Sequence, residues 1–161
     1  MLAVTRNFSA WVNKRVFAAL ICSACSALVV NAADDKINPE LVVKHRQAVM
    51  MAIGGHTSAT FGAMSLPEFA DQQLYHLEQI NKLAKMSAQT FTAGSNTGKT
   101  KSKGEVWSKP DEFKQAMDDF LLKSDAAVVE AKKGTKEKEY LAAVKALTES
   151  CKACHKKFKE D

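Results

Sequence analysis

Two cysteines and a histidine near the carboxyl end have the residue types and the spacing to do chemistry. Cys151 and Cys154 are separated by two residues, and His155 follows directly. C-x-x-C-H is the attachment pattern of a c-type haem. On one helical turn the two thiols meet the vinyl groups at the porphyrin edge, and the adjacent imidazole reaches the iron. The pattern therefore predicts one covalently bound haem c, with His155 as the proximal iron ligand.

A zinc site and a redox dithiol are the alternatives for these cysteines. Structural zinc normally takes four protein ligands from two spaced Cys/His pairs, and residues 33–161 contain no second pair of this kind. A redox dithiol is expected near a βαβ pattern, whereas the sequence around Cys151 and Cys154 is typical of a helix. Haem attachment is the favoured interpretation.

The first 32 residues have the pattern of a secretory signal. Arg6, Lys14 and Arg15 supply positive charge, residues 16–30 are apolar and uncharged, and small residues precede Ala33. A membrane anchor is the alternative, but the apolar run is shorter than the roughly 20 residues that a spanning helix needs. The sequence predicts a cleaved signal peptide over 1–32, a single domain over 33–161 and a periplasmic location.

Export changes how the cysteines and the charge are interpreted. Cys22 and Cys25 lie within the predicted leader and are followed by Ser26 in place of His, so they are excluded from the chemistry. Cleavage removes three of the 23 basic residues and none of the 18 acidic ones, which lowers the net charge from +5 to +2. This small charge gives no reason to expect a nucleic-acid partner.

All three prolines lie where helices are predicted to begin. Each follows a polar residue that can cap a helix and precedes a carboxylate that favours the positive end of the helix dipole. The three predicted starts are Asn38-Pro39-Glu40, Ser65-Leu66-Pro67-Glu68 (with capping-box spacing) and Ser108-Lys109-Pro110-Asp111. Gly134 is predicted to end the third helix and Thr135 to cap a fourth.

Apolar residues recur at intervals of three and four in each predicted helix, which places them on one face. The four stripes are Val42, Val43, Val49, Met50, Ile53, Thr57, Thr60, Phe61 and Met64; Phe69, Leu77, Ile80 and Ala84; Phe113, Met117, Phe120, Leu121 and Val128; and Tyr140, Val144, Leu147, Cys151, Cys154 and Phe158. No alternating pattern indicates a strand. The prediction is an all-α, antiparallel four-helix bundle with haem near one end.

The segment 92–108 joins the second and third predicted helices. It is rich in Gly, Ser, Thr and Lys, lacks apolar periodicity and is predicted to be an exposed, mobile crossover. Trp107 at its end is the exception, because a Trp in a polar loop usually packs against the core or against a cofactor.

Four motifs together resemble the cytochrome c-prime family. They are the haem motif in the last of four helices, Val-Lys-His-Arg-Gln at 43–47, Gly-Gly-His at 54–56 and Val-Trp-Ser at 106–108. The resemblance extends over essentially all of residues 33–161. It implies a four-helix bundle that carries haem c.

The resemblance also implies further site residues. In some members a Met thioether from the first helix completes a low-spin, six-coordinate iron, and the resemblance is closer to these members. The corresponding position in this chain is Met50. A core role for Met50 is the alternative, and Met51 is the second choice as ligand. Arg46 and Gln47 resemble residues near the haem propionates, and Trp107 is a further haem contact. His45 and His56 are alternative distal ligands in principle, but His56 is interpreted as a structural or surface residue and Met50 is the preferred ligand.

One departure from the family and a group of lysines near the motif complete the expected site. Many relatives carry an Arg four residues after the proximal histidine, where this chain has Lys159. Lys156, Lys157 and Lys159 flank the motif, either as a solvated face or as a surface that steers an acidic redox partner.

The expected function is that of a periplasmic one-electron carrier that meets redox partner proteins. A five-coordinate haem protein that binds NO or CO is the alternative on the same fold. No paired carboxylates, nucleophile elbow or phosphate loop indicate an enzyme. No membrane span is expected after signal removal, and a homodimer through the first two helices, as in related proteins, is an alternative to a monomer.

Overall fold

The computed structural model of the chain describes residues 37–160, and the predicted signal peptide lies outside them. Five α-helices and two short 3-10 helices make up this part. The α-helices are α1 (Pro39–Ser65), α2 (Gln73–Ser87), the single turn α3 (Glu105–Ser108), α4 (Pro110–Lys133) and α5 (Lys138–Phe158); the 3-10 helices are Pro67–Gln72 and Ala88–Thr90. Over these residues there is no strand, only an isolated bridge between Ser102 and Lys159.

The four long helices form the predicted antiparallel bundle. α1 packs against α2, α2 against α4, and α4 against α5. Most of the predicted apolar stripes form its core, whose buried members are Val49, Ile53, Leu77, Ile80, Ala84, Val106, Phe113, Met117, Phe120, Ala127, Ala131, Tyr140, Val144, Leu147 and Phe158. Phe61 and Phe69 of the predicted stripes are 44% and 43% exposed and so lie outside the buried core. No helix in the described part is both long and apolar enough to cross a membrane.

The helix starts follow the prolines more closely than the predicted caps. Asn38 caps α1, since its Oδ1 accepts hydrogen bonds from the Glu40 and Leu41 amides at 3.0 and 3.4 Å. The Ser65 cap is wrong: Ser65 is the last residue of α1, and its hydroxyl donates to the carbonyl of Phe61. The 3-10 helix that begins at Pro67 has no side-chain cap.

The other two predicted caps are also wrong. Ser108 ends α3, and Lys109 precedes α4 without a side-chain hydrogen bond. Gly134 follows the last residue of α4, as predicted, and its amide donates to the Glu130 carbonyl at 3.2 Å from an extended backbone. Glu137, in place of Thr135, occupies the cap position of α5.

Two polar contacts inside the bundle fix the helices against each other. The buried Tyr140 hydroxyl of α5 donates to Gln73 Oε1 of α2 at 2.7 Å. The Asn81 amide of α2 donates to Ser124 Oγ at 2.9 Å and to Asp125 Oδ1 at 2.7 Å, both on α4. Since an unpaired buried polar group costs free energy, these partners favour one register of the helices.

The crossover between α2 and α4 is packed against the bundle. The prediction that it is exposed is wrong for Ser95 and Val106, which are 1% and 4% exposed. The amide of Glu160 donates to the Lys101 carbonyl at 2.8 Å, and the amide of Lys103 donates to the Phe158 carbonyl at 2.9 Å. Backbone hydrogen bonds with the end of α5 thus hold this polar segment against the bundle, which its composition did not predict.

Candidate haem site

A cavity of about 720 Å³ opens between α1 and α5. Its volume is in the range of about 300–1,000 Å³ that is usual for cofactor sites. Phe113, Met117 and Phe120 of α4 line it between these two walls. The lining is mainly apolar, so a large flat apolar group gains free energy by entering it.

The wall formed by α5 carries the haem motif. Thr148, Cys151, Lys152, His155 and Lys159 line the cavity, and their spacing places them along one face of the helix. Cys154 lines it as well and is half-buried like Cys151. The structure therefore brings both thiols and the imidazole to one cavity.

Burial shifts the protonation of the two cysteines and of the histidine. Burial raises the pKa of Cys151, and burial together with the neighbouring Cys151 raises the pKa of Cys154 to about 11. Partial desolvation and the charge of Lys159 lower the pKa of His155. Near neutral pH the cysteines are thiols and the imidazole is neutral, the form that binds metals.

The wall formed by α1 presents two thioethers. Met50 is half-buried and packs partly against the core, whereas Met51 is 71% exposed. Both line the cavity, as do Ile53, Gly54 and Thr57 further along the helix. Met50 and His155 thus lie on different helices that border the same space.

Arg46, one turn before Met50, is 2% exposed and carries a charge into the bundle. Its guanidinium donates to the Thr90 carbonyl at 3.0 Å, to Ser95 Oγ at 2.8 Å, to the Ser95 carbonyl at 2.9 Å and to Thr100 Oγ1 at 2.8 Å. Desolvation lowers the pKa of Arg46, but an arginine remains protonated in proteins. Among residues 37–160 no ion pair involves it, so a positive charge at the cavity wall lacks an anionic partner.

The remaining predicted residues divide into two groups. Gln47 lines the cavity and donates to the Lys99 carbonyl at 2.9 Å. Trp107 is not part of the lining: its indole N–H donates to the Thr92 carbonyl at 3.1 Å, and its ring lies 5.6 Å from the Arg46 guanidinium. His45 is exposed and His56 contacts another histidine, so neither lines the cavity.

Part of the lining was not predicted from the sequence. Thr100, Lys101 and Ser102 of the crossover close one side of the cavity, and Phe91 and Phe158 add aromatic surface. Phe91 stacks edge to face on Phe113 with ring centroids 4.7 Å apart, and Phe113 does so on Phe158 at 5.2 Å. Only Phe158 had a sequence signal, the apolar stripe of α5, which predicts burial but not contact with a ligand. Phe91 lay in no predicted stripe, and the crossover residues were predicted to be exposed.

Comparison with known proteins places this chain in a family. The cytochrome C' family model matches residues 41–159, and the chain belongs to the cytochrome C' family. A cytochrome c' from Pararhodospirillum photometricum is 33% identical over 128 residues, which cover 76% of this chain and 99% of the relative.

Two solved structures show the same fold over nearly their whole length. Cytochrome c prime from Shewanella frigidimarina is 26% identical with a TM-score of 0.72, covering 78% of this chain and 98% of that structure. A nitric oxide complex of a variant of cytochrome c prime from Alcaligenes xylosoxidans is also 26% identical, with a TM-score of 0.68 over 78% of this chain and 98% of that one.

Membership establishes the cofactor, because proteins of this family carry covalent haem c. The residues present fit that group. The cavity is apolar, one wall carries two thiols and an imidazole, and Arg46 places at its edge a positive charge that no carboxylate of the described residues neutralises.

Proposed function

We propose that this protein is a one-electron carrier whose haem is attached through Cys151 and Cys154 and whose iron is held between His155 and Met50. The observation that carries the proposal is that Met50 on α1 and His155 on α5 line one cavity from different helices. A thioether and an imidazole on two sides are the axial ligands of electron-transferring c-type haems.

The haem supplies the exchange of one electron, and the side chains set the conditions for it. The soft thioether of Met50 favours ferrous iron and raises the reduction potential. Because α1 is packed against α2, we expect Met50 to keep its position in both oxidation states, which would keep the reorganisation small. Phe113 and Phe120 give the cavity an apolar wall, and the positive charge of Arg46 favours an anionic propionate at its edge.

Lysines at the cavity support an encounter with an acidic redox partner. Lys152 and Lys159 line the cavity, and Lys156 lies exposed between them on α5. Lys157 instead binds Glu112 of α4. Positive charge at a haem edge accelerates association with an acidic surface, an effect that salt weakens. Export to the periplasm, as the leader predicts, gives such a carrier its place.

A second candidate function is reversible binding of a small gas at a five-coordinate iron. The observation in its favour is that a similar structure is a nitric oxide complex. In that case Met50 is only an apolar wall of the site, and the sixth position is open.

Substitution of the two neighbouring methionines separates these functions. We expect the ferric protein to be low-spin, Met50→Leu to become high-spin with a lower reduction potential, and its ferrous form to gain rapid CO binding. Met51→Leu is the matched control, since Met51 lies one residue away and is largely exposed, and it should keep the spectrum. If the unmodified protein is already high-spin and binds CO as readily as Met50→Leu does, the gas-binding function replaces the carrier function.

A further inference from the structure

A pair of histidines on the outer part of the bundle is not used by the haem site. His56 of α1 and His76 of α2 lie with their Nδ1 atoms 3.0 Å apart and their ring centroids 5.3 Å apart. Both side chains are half-buried, and neither lines the cavity. The packing of α1 against α2 holds them together.

The geometry points the Nδ1 atoms of the two rings toward each other. At 3.0 Å, one Nδ1 carries a proton and the other accepts it, so both ring nitrogens face the space between them. A tetrahedral zinc ion with Zn–N bonds of about 2.0–2.1 Å separates two ligand nitrogens by about 3.3–3.4 Å. Binding of a metal ion in place of the shared proton therefore requires the two nitrogens to move apart by roughly a few tenths of an ångström.

The surroundings favour a neutral imidazole at His56 and hold the two rings in place. Burial and the neighbouring His76 lower the pKa of His56, which favours the form that binds metal. Tyr75 packs edge to face against both rings, with centroids 6.2 and 5.3 Å away, and restricts their rotation. Within the described residues no group of three or more His, Cys, Asp or Glu side chains forms a metal cluster, so water completes the coordination.

We propose that His56 and His76 bind one divalent late transition-metal ion, of the Zn²⁺, Ni²⁺ or Cu²⁺ class, between α1 and α2. Imidazole nitrogen suits these ions, whereas Mg²⁺ and Ca²⁺ prefer oxygen ligands. With only two protein ligands the ion exchanges readily. A metal that binds the folded pair stabilises the native state by linkage, so it fastens α1 to α2 independently of the haem and of its axial ligands.

The test is titration of the haem-loaded protein with Zn²⁺ in a calorimeter, in a buffer near neutral pH. We expect one Zn²⁺ per chain and a rise in the melting temperature relative to the same sample in EDTA. His56→Gln and His76→Gln should each weaken Zn²⁺ binding at least tenfold and abolish the rise. His45→Gln is the matched control, because it removes an exposed histidine from the same helix and should change neither.

Two results would overturn the site: no binding by the unmodified protein, or equal binding by His56→Gln and the unmodified protein. A measurement without substitutions covers the case in which a variant fails to fold. Zn²⁺ should protect His56 and His76, but not His45, from acylation by diethyl pyrocarbonate, as mapped by peptide mass spectrometry; equal acylation of all three with and without Zn²⁺ rejects the proposal.

Discussion

Arg46 holds Ser95 at two atoms: its Nη1 donates to the hydroxyl at 2.8 Å and its Nη2 to the carbonyl at 2.9 Å. The two residues are 49 positions apart in the chain. Their contact fastens the crossover between α2 and α4 to the turn of α1 that precedes Met50. A single buried guanidinium therefore links the wall that carries the proposed sixth ligand to the segment that closes the cavity.

Substituting Arg46 tests this link. Arg46→Lys keeps the charge but cannot serve the separate acceptors of Thr90, Ser95 and Thr100 with one ammonium group. Loss of these buried hydrogen bonds should reduce the free energy of unfolding by about 2–3 kcal/mol. Urea unfolding of the haem-loaded protein measures it.

Gln47→Ala is the control for Arg46→Lys. Gln47 is exposed and donates one hydrogen bond, to the Lys99 carbonyl, so its loss should amount to less than about 1 kcal/mol. Equal losses in the two variants would show that Arg46 does not hold the crossover.

The buried phenol of Tyr140 should make the protein less stable in alkaline solution. Burial raises its pKa to about 12, above the value near 10 of an unfolded tyrosine. Between these values the folded state retains a proton that the unfolded state loses. The contribution of Tyr140 to the free energy of unfolding is therefore complete below about pH 10 and is lost as the pH rises toward 12.

Tyr140→Phe should make the unfolding free energy less dependent on pH in that range, and it should cost about 1–2 kcal/mol at neutral pH because Gln73 loses its donor. Tyr75→Phe, at a 56% exposed position, should leave the alkaline dependence as it is. Chemical unfolding at a series of pH values decides, and a slope unchanged by Tyr140→Phe would contradict the burial argument.

Replacing the thiols tests the covalent attachment. In a host that matures c-type cytochromes, Cys151→Ala combined with Cys154→Ala should leave haem that acid acetone extracts, since neither thioether can form. Thr148→Ala, a change on the same cavity wall that removes no thiol, should retain haem in the precipitate. Intact mass spectrometry that finds haem bound to the double variant would refute the assigned attachment.

The local sequence predicted the bundle and the haem motif because both depend on short-range spacing. The apolar intervals around Leu77, Phe120 and Val144 require one buried helix face, and these residues are buried. The predicted caps Ser65, Ser108 and Thr135 were wrong. Ser65 illustrates the reason, because its hydroxyl donates to the Phe61 carbonyl within α1 instead of accepting from an amide of the next helix.

Contacts between segments that are distant in the chain could not be predicted from local sequence patterns. Nothing in the composition of the crossover indicated that Ser95 is buried, since its burial depends on Arg46, which is far away in the chain. The pairing of His56 with His76 depends in the same way on the register of α1 against α2. The roles assigned to Met50, Gln47 and the haem motif are still predictions, although the cavity brings these side chains together.

The electron-carrier proposal depends on Met50 as the sixth ligand of the iron. Electron paramagnetic resonance of the ferric, haem-loaded protein near neutral pH is the decisive measurement, because the signal separates low-spin from high-spin iron. We expect a low-spin signal that Met50→Leu converts to high-spin and Met51→Leu does not. A high-spin signal from the unmodified protein would rule out ligation by Met50.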